Sequence, residues 1–258
     1  SKDFARKAKI VMIDIDSKEL KNTRVLANHK LKVDAGYFLD KLVKELPQKI
    51  HLDKNWLDYC RKVRKKYPIV LDQYKKQKNS INSYYFIDIL SELLKPRDVV
   101  VTDMGLSFVG THQAFKVKKG QRVFTNSGHA PMGWGLPAAI GAYYASIESK
   151  GKKNIVCLTG EGGLQMNIQE LATVLHHKIP IKIFIYNNGG YLTIKQTQQL
   201  GFESRIMGSD SESGLSFPNY ELLSKSHNIK YFKISDTKKI KKSVLKILKI
   251  KEPVICEL

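Results

Sequence analysis

A chain of 258 residues is long enough for one large domain, or for one domain and part of another. Hydrophobic residues make up 42%, an ordinary share for a globular core, and no apolar run approaches the roughly 20 residues that span a membrane. The formal net charge is +20, but only seven of the 44 basic residues are arginine and the lysines are scattered, with a local excess at 237–251. Nucleic-acid readers favour arginine and aromatic platforms. The charge is therefore read as solvated surface, compatible with an acidic small ligand, and nucleic acid is not expected as a partner. Cys60, Cys157 and Cys256 are odd in number and widely spaced, which fits neither a disulfide framework nor a zinc pattern. Cys157 and Cys256 sit in apolar runs as buried thiols, and a reducing, cytoplasmic setting follows. Ser1–Lys7 has neither an initiator Met nor an apolar signal region, and is read as a cut in a longer chain.

In chain order, 9–16 reads as a buried strand and 34–46 as an amphipathic helix carrying Phe38, Leu39, Leu42, Val43 and Leu46. Residues 47–80 are polar, rich in lysine and weakly periodic, with one helix around Leu57–Lys65; they read as a linker. From 81 the pattern is dense. Helices are expected at 83–94, 134–148, 165–177, 219–226 and 237–249. Strands are expected at 98–102, 122–126, 154–159, 181–187, 230–234 and 253–257. This alternation predicts an α/β fold: a doubly wound, mostly parallel sheet with helices on both faces. Asp14 and Asp16 follow a strand, as a ribose-binding acid would, but no glycine fingerprint precedes them, so they read as turn residues.

The chemistry concentrates in 154–193. One expected strand ends in Gly160-Glu161-Gly162-Gly163 and the next in Asn187-Asn188-Gly189-Gly190. Parallel order puts Glu161 and Asn188 at carboxyl ends of strands, where such sheets bind ligands. The glycines let backbone approach a ligand, and a helix start behind them favours phosphate. Neither loop contains Lys or Arg, so a phosphate would need its charge balanced in another way. A carboxylate and an amide oxygen are hard ligands, suited to Mg²⁺ or Ca²⁺. The loop is neither a Walker A motif nor Gly-x-Gly-x-x-Gly.

This pair of motifs resembles thiamine diphosphate (ThDP) enzymes, which carry Gly-Asp-Gly and then, after roughly 25–30 residues, Asn-Asn. Here Asn188 lies 27 residues after Glu161, a spacing similar to the acetolactate synthase branch. The segments 127–142 and 162–171 resemble that branch too, and the resemblance covers about 7–258. It implies that Glu161, Asn188 and the Gly190 carbonyl hold Mg²⁺. It implies that Gly160, Gly162, Gly163, Tyr191 and Leu192 surround the diphosphate, with Gly105, Leu106 and Ser107 on its other side. Met132 would hold the cofactor bent between its rings, and the Ala130 backbone would touch the pyrimidine. His129 is either an acid–base residue or a structural one. It also implies that 1–46 is the tail of a central domain, that 81–258 is the diphosphate-binding domain, and that the activating glutamate lies outside this chain, which would be inactive alone. A 2-keto acid is the implied substrate, a homodimer or homotetramer the implied assembly, and FAD in the full-length protein is left open.

Two positions depart from the pattern. Glu161 stands where the family has Asp, which keeps open a non-catalytic subunit without metal. Thr197 stands where acetolactate synthases have a Trp that selects the acceptor keto acid. The stretches 119–122 and 126–128 resemble relatives from surface-polysaccharide pathways, acting on sugars or small keto acids. A carboligating transferase and a non-oxidative decarboxylase of 2-keto acids are both compatible.

Overall fold

The computed structural model describes residues 4–21, 26–47, 53–148 and 153–258. The readings of Ser1–Asp3 and of 48–52 within the expected linker lie outside the described residues. The chain divides into two compact units, Ser1–Lys66 and Tyr67–Leu258. The division falls inside the 47–80 segment.

The first unit contains β1 (Val11–Asp14), α1 (Ser17–Lys21), β2 (His29–Lys32), α2 (Ala35–Glu45) and α3 (Lys54–Lys66). β1 and β2 pair in parallel. The strand expected to be buried is four residues long, and Val11 is exposed. α2 begins where Asp34 accepts the Tyr37 N–H at 2.8 Å, an N-cap that satisfies an otherwise orphaned donor.

The second unit runs α4 (Ser83–Leu93), β3 (Val99–Thr102), α5 (Leu106–Ala114), β4 (Arg122–Phe124) and α6 (Gly135–Ile147). It continues with β5 (Ile155–Gly160), α7 (Glu161–Met166), α8 (Glu170–His176), β6 (Lys182–Tyr186) and α9 (Leu192–Gly201). α10 (Tyr220–Ser226), β7 (Lys230–Lys233), α11 (Ile240–Lys249) and β8 (Val254–Glu257) complete it. Six strands form one parallel sheet in the order β4-β3-β5-β6-β8-β7.

Strand periodicity builds the two-sided core. Val100, Val156, Phe184 and Cys256 point to one side and pack with Phe86 and Leu90 of α4 and Val244 of α11. Val101, Cys157, Ile183 and Ile255 point to the other and pack with Leu136 of α6, Leu171 of α8 and Tyr220 of α10. Phe86 stacks at a tilt on Phe184, ring centres 5.2 Å apart. Cys157 and Cys256 are both buried, and burial raises both thiols well above their ordinary range. No described helix is long and apolar enough to cross a membrane.

Three expectations need correction. The single helix at 165–177 is two helices, α7 and α8, and it starts at Glu161. The break comes at Asn167, whose amide donates to the Gly133 carbonyl at 2.8 Å, a tertiary bond no local pattern announces. The helix at 237–249 opens as a 3₁₀ turn, Thr237–Lys239. Helices α5 and α9 occupy stretches to which the pattern assigns no element.

Candidate functional site

The sheet changes its winding direction around β3. β4 lies on one flank of β3 and β5 on the other. A crevice opens at the carboxyl ends of strands where winding reverses. There β3 passes through Asp103–Gly105 into α5, with Gly105 at φ +78° and ψ −139°, which a side chain would strain. β5 runs directly into α7, and β6 leads through Asn187–Tyr191 into α9.

The starts of these three helices line one cavity of about 220 Å³. None has a side-chain cap. First-turn N–H groups lack intrahelical partners, so the wall is rich in donors and electropositive. Among the described residues no lysine, arginine or histidine lines the cavity. All the residues expected around the diphosphate and rings line it: Gly105, Leu106, Ser107, Ala130, Met132, Gly160, Glu161, Gly162, Gly163, Asn188, Gly190, Tyr191 and Leu192. His129 does not; it lies exposed in the turn beside Ala130. Met104, Tyr186, Thr193 and Ile194 also line the cavity. A reading of α9 as a helix would have pointed to Thr193 and Ile194, which share its first turn.

Glu161 is 2% exposed. Its Oε1 accepts the backbone N–H of Asn188 at 2.6 Å and of Gly189 at 2.7 Å. Burial pushes its carboxyl above the usual carboxylate range, against the opposing pull of these backbone donors. Gly162 has no room for a side chain. A Cβ there would stand 2.0 Å from the Tyr191 Cε1 and 2.8 Å from the Met132 Cε. Tyr191 and Met132 therefore both lie over the Gly162 backbone.

Two further contacts fix the loop after β6. Gly190 forms an antiparallel bridge with Asp210, and the Tyr191 N–H donates to the Ser209 carbonyl at 2.8 Å. Lys195 of α9 pairs with Asp210 at 2.5 Å. On the other side, the Asn187 amide donates to Glu257 Oε1 at 3.0 Å, and Lys233 and Tyr231 donate to the same carboxylate. Burial alone would raise the Glu257 carboxyl; Lys233, Tyr231 and Asn187 outweigh it and hold it below its usual range.

Residues 103–258 match the family profile described as thiamine pyrophosphate enzyme, C-terminal TPP binding domain. The chain belongs to this family. It is similar to the acetolactate synthase large subunits of Lactococcus lactis subsp. lactis, 31% identical over 98% of this chain and 42% of the relative, and of Cyanidium caldarium, 29% identical over 99% and 42%. Acetolactate synthase 1, chloroplastic, of Zea mays is 26% identical over 99% of this chain and 40% of the relative. The chain thus spans about two-fifths of the length of these curated relatives.

The wall fits the cofactor this TPP-binding domain is named for. It offers a diphosphate three uncapped helix starts. The Tyr186 hydroxyl, buried in a residue of that wall, has no hydrogen-bond partner among the described residues. Among the described residues the wall carries one carboxylate, Glu161, and no cation to balance a phosphate. Among the described residues no three His, Cys, Asp or Glu side chains converge as a metal cage. A metal here would share its coordination with phosphate oxygens, as Mg²⁺ commonly does.

Proposed function

We propose that this chain supplies the diphosphate and metal side of a ThDP- and Mg²⁺-dependent active site that joins a decarboxylated 2-keto acid to an acceptor carbonyl. The observation that carries this reading is the meeting of Glu161, Asn188 and Gly190 with the three helix starts in one cavity that, among the described residues, no basic side chain lines. Glu161, the Asn188 amide and the Gly190 carbonyl hold the metal. Gly162, Gly163 and the 105–107 segment hold the diphosphate, and Met132 keeps the cofactor bent. When bound, the cofactor supplies the carbanion chemistry, and the chain's residues bind and orient it.

Among the described residues Glu161 is the one carboxylate that lines the cavity, and in this reading it serves the metal. In this reading the carboxylate that activates the aminopyrimidine comes from another domain or another copy, in a homodimer or homotetramer of the full-length protein. The chain alone is inactive. A cytoplasmic setting accords with the buried thiols. Thr197 in place of the acceptor-selecting Trp favours an acceptor other than those of branched-chain amino-acid synthesis. Product analysis of the full-length protein separates carboligation from simple decarboxylation.

Calorimetric titration of the chain with ThDP and Mg²⁺ tests the site, with micromolar, Mg²⁺-dependent binding expected. A second reading, a ThDP-fold subunit without metal, is favoured by the engagement of Glu161 Oε1 with two backbone N–H groups. Binding that ignores Mg²⁺, or no binding, would select it. Decarboxylation of a 2-keto acid by the chain alone would overturn its dependence on an outside carboxylate.

A further inference from the structure

Asp103 is 1% exposed and lies at the end of β3, just outside the cavity wall. Its Oδ1 accepts the N–H of Met104 at 2.8 Å and of Gly133 at 3.0 Å. Its Oδ2 accepts the Gly135 N–H at 3.2 Å and the Thr159 hydroxyl at 3.2 Å. All four donors are neutral. They belong to three different parts of the site: the turn into α5, the 130–135 turn into α6, and the end of β5. The fit is close. A Cβ on Gly163 would meet Asp103 Oδ2 at 2.7 Å, and one on Gly135 would meet it at 3.0 Å.

Gly133 is held at both ends of its peptide groups. Its N–H goes to Asp103, and its carbonyl accepts from Asn167 at 2.8 Å. Met132 immediately precedes it. Ala130, two residues earlier, has φ +50°, a left-handed conformation that alanine keeps only where its surroundings enforce it. The turn that presents Met132 is thus strained at one end and tied down at the other.

We propose that Asp103 is a positioning residue for Met132. Its carboxylate ties the 130–135 turn to the ends of β3 and β5, so that Met132 stands over Gly162 where the cofactor's rings must be held bent. The proposal rests on the ThDP reading above. It assigns Asp103 to the ring end of the ligand, not to the diphosphate end.

Two ligands separate these ends. Inorganic pyrophosphate has no rings for Met132 to hold; ThDP has both. The chain is titrated calorimetrically with each, in the presence of Mg²⁺. D103N keeps the shape but sets an NH₂ group against one of the backbone donors. Leaving a buried donor unmatched should weaken ThDP by about tenfold, with pyrophosphate changed less than about twofold. M132A should show the same selective loss. The double variant D103N/M132A should bind ThDP no more weakly than the weaker single variant, because residues acting through one contact are not additive. Equal loss of both ligands, no loss in D103N, or additive losses in the double variant would overturn the positioning role. If D103N loses its cooperative thermal transition, Thr159→Val takes its place. It removes one donor to Asp103 and should weaken ThDP severalfold with pyrophosphate unchanged; unaltered ThDP binding in T159V overturns the proposal. A folded native chain that takes neither ligand overturns the cofactor reading and this role together.

Discussion

One oxygen of Glu161 stands 2.6 Å from the backbone nitrogen of Asn188 and 2.7 Å from that of Gly189. The residue that opens α7 therefore also closes the turn after β6. A single carboxylate ties together the two strand ends from which the proposed metal ligands are drawn.

Replacing Glu161 with Gln keeps the length of the arm and one acceptor oxygen but removes the charge. The turn should survive, and the thermal midpoint should stay near that of the native chain. Mg²⁺ affinity at a fixed ThDP concentration should fall by at least about tenfold, since even outer-shell partners of a metal are worth that much. A calorimetric Mg²⁺ titration reads it. Unchanged affinity would leave Glu161 as a loop tether only.

Gly162→Ala puts a Cβ into the Tyr191 ring, 2.0 Å from Cε1. The ring must leave the Gly162 backbone, and Tyr191 also donates its N–H to Ser209. Overpacking of this kind costs about 1–3 kcal/mol. Thermal denaturation should show that loss, and ThDP titration should show weaker binding.

Lys182 opens β6 at the other rim of the sheet and is 1% exposed, its Nζ donating to the carbonyls of Pro180 and Glu252 at 3.0 and 2.6 Å. Burial pulls its pKa down to about 8 from 10.5. Between these values the unfolded chain holds a proton that the folded chain has released, so this group makes stability rise with pH. The native chain should gain on the order of 3 kcal/mol relative to Lys182→Met between pH 8 and 10.5. Urea denaturation at stepped pH checks it; parallel curves for the two proteins would refute it.

Glu257 behaves in the opposite sense. Its folded pKa lies below the unfolded 4.5. Its contribution is present above pH 4.5 and is lost as pH falls through the folded value. Glu257→Gln should flatten the acid limb of the stability curve. It should also speed hydrogen exchange in the 187–190 loop, because Asn187 loses its charged anchor.

The parallel sheet was legible because its strands are continuous apolar runs, buried on both sides, and because α4, α6 and α11 carry apolar residues at helical spacing. α5 and α9 carried no such signal. α5 buries Ser107, Gly110, Thr111 and Ala114, small or polar residues that make no apolar stripe. α9 buries nothing among its residues, and its Leu192, Ile194 and Leu200 are exposed. The cavity's loops were legible from their glycines and from the spacing of Glu161 and Asn188. Asp103 was not, because its four bonds reach residues up to 56 positions away and leave no local pattern.

The cavity and Lys182 occupy opposite ends of β6, a strand of five residues. At about 3.3 Å per residue they stand roughly 15 Å apart, too far for the side chains at the two ends to touch. A side-chain exchange at one end therefore meets none of the contacts at the other. Ligand affinity and the alkaline response of stability can thus be altered one at a time.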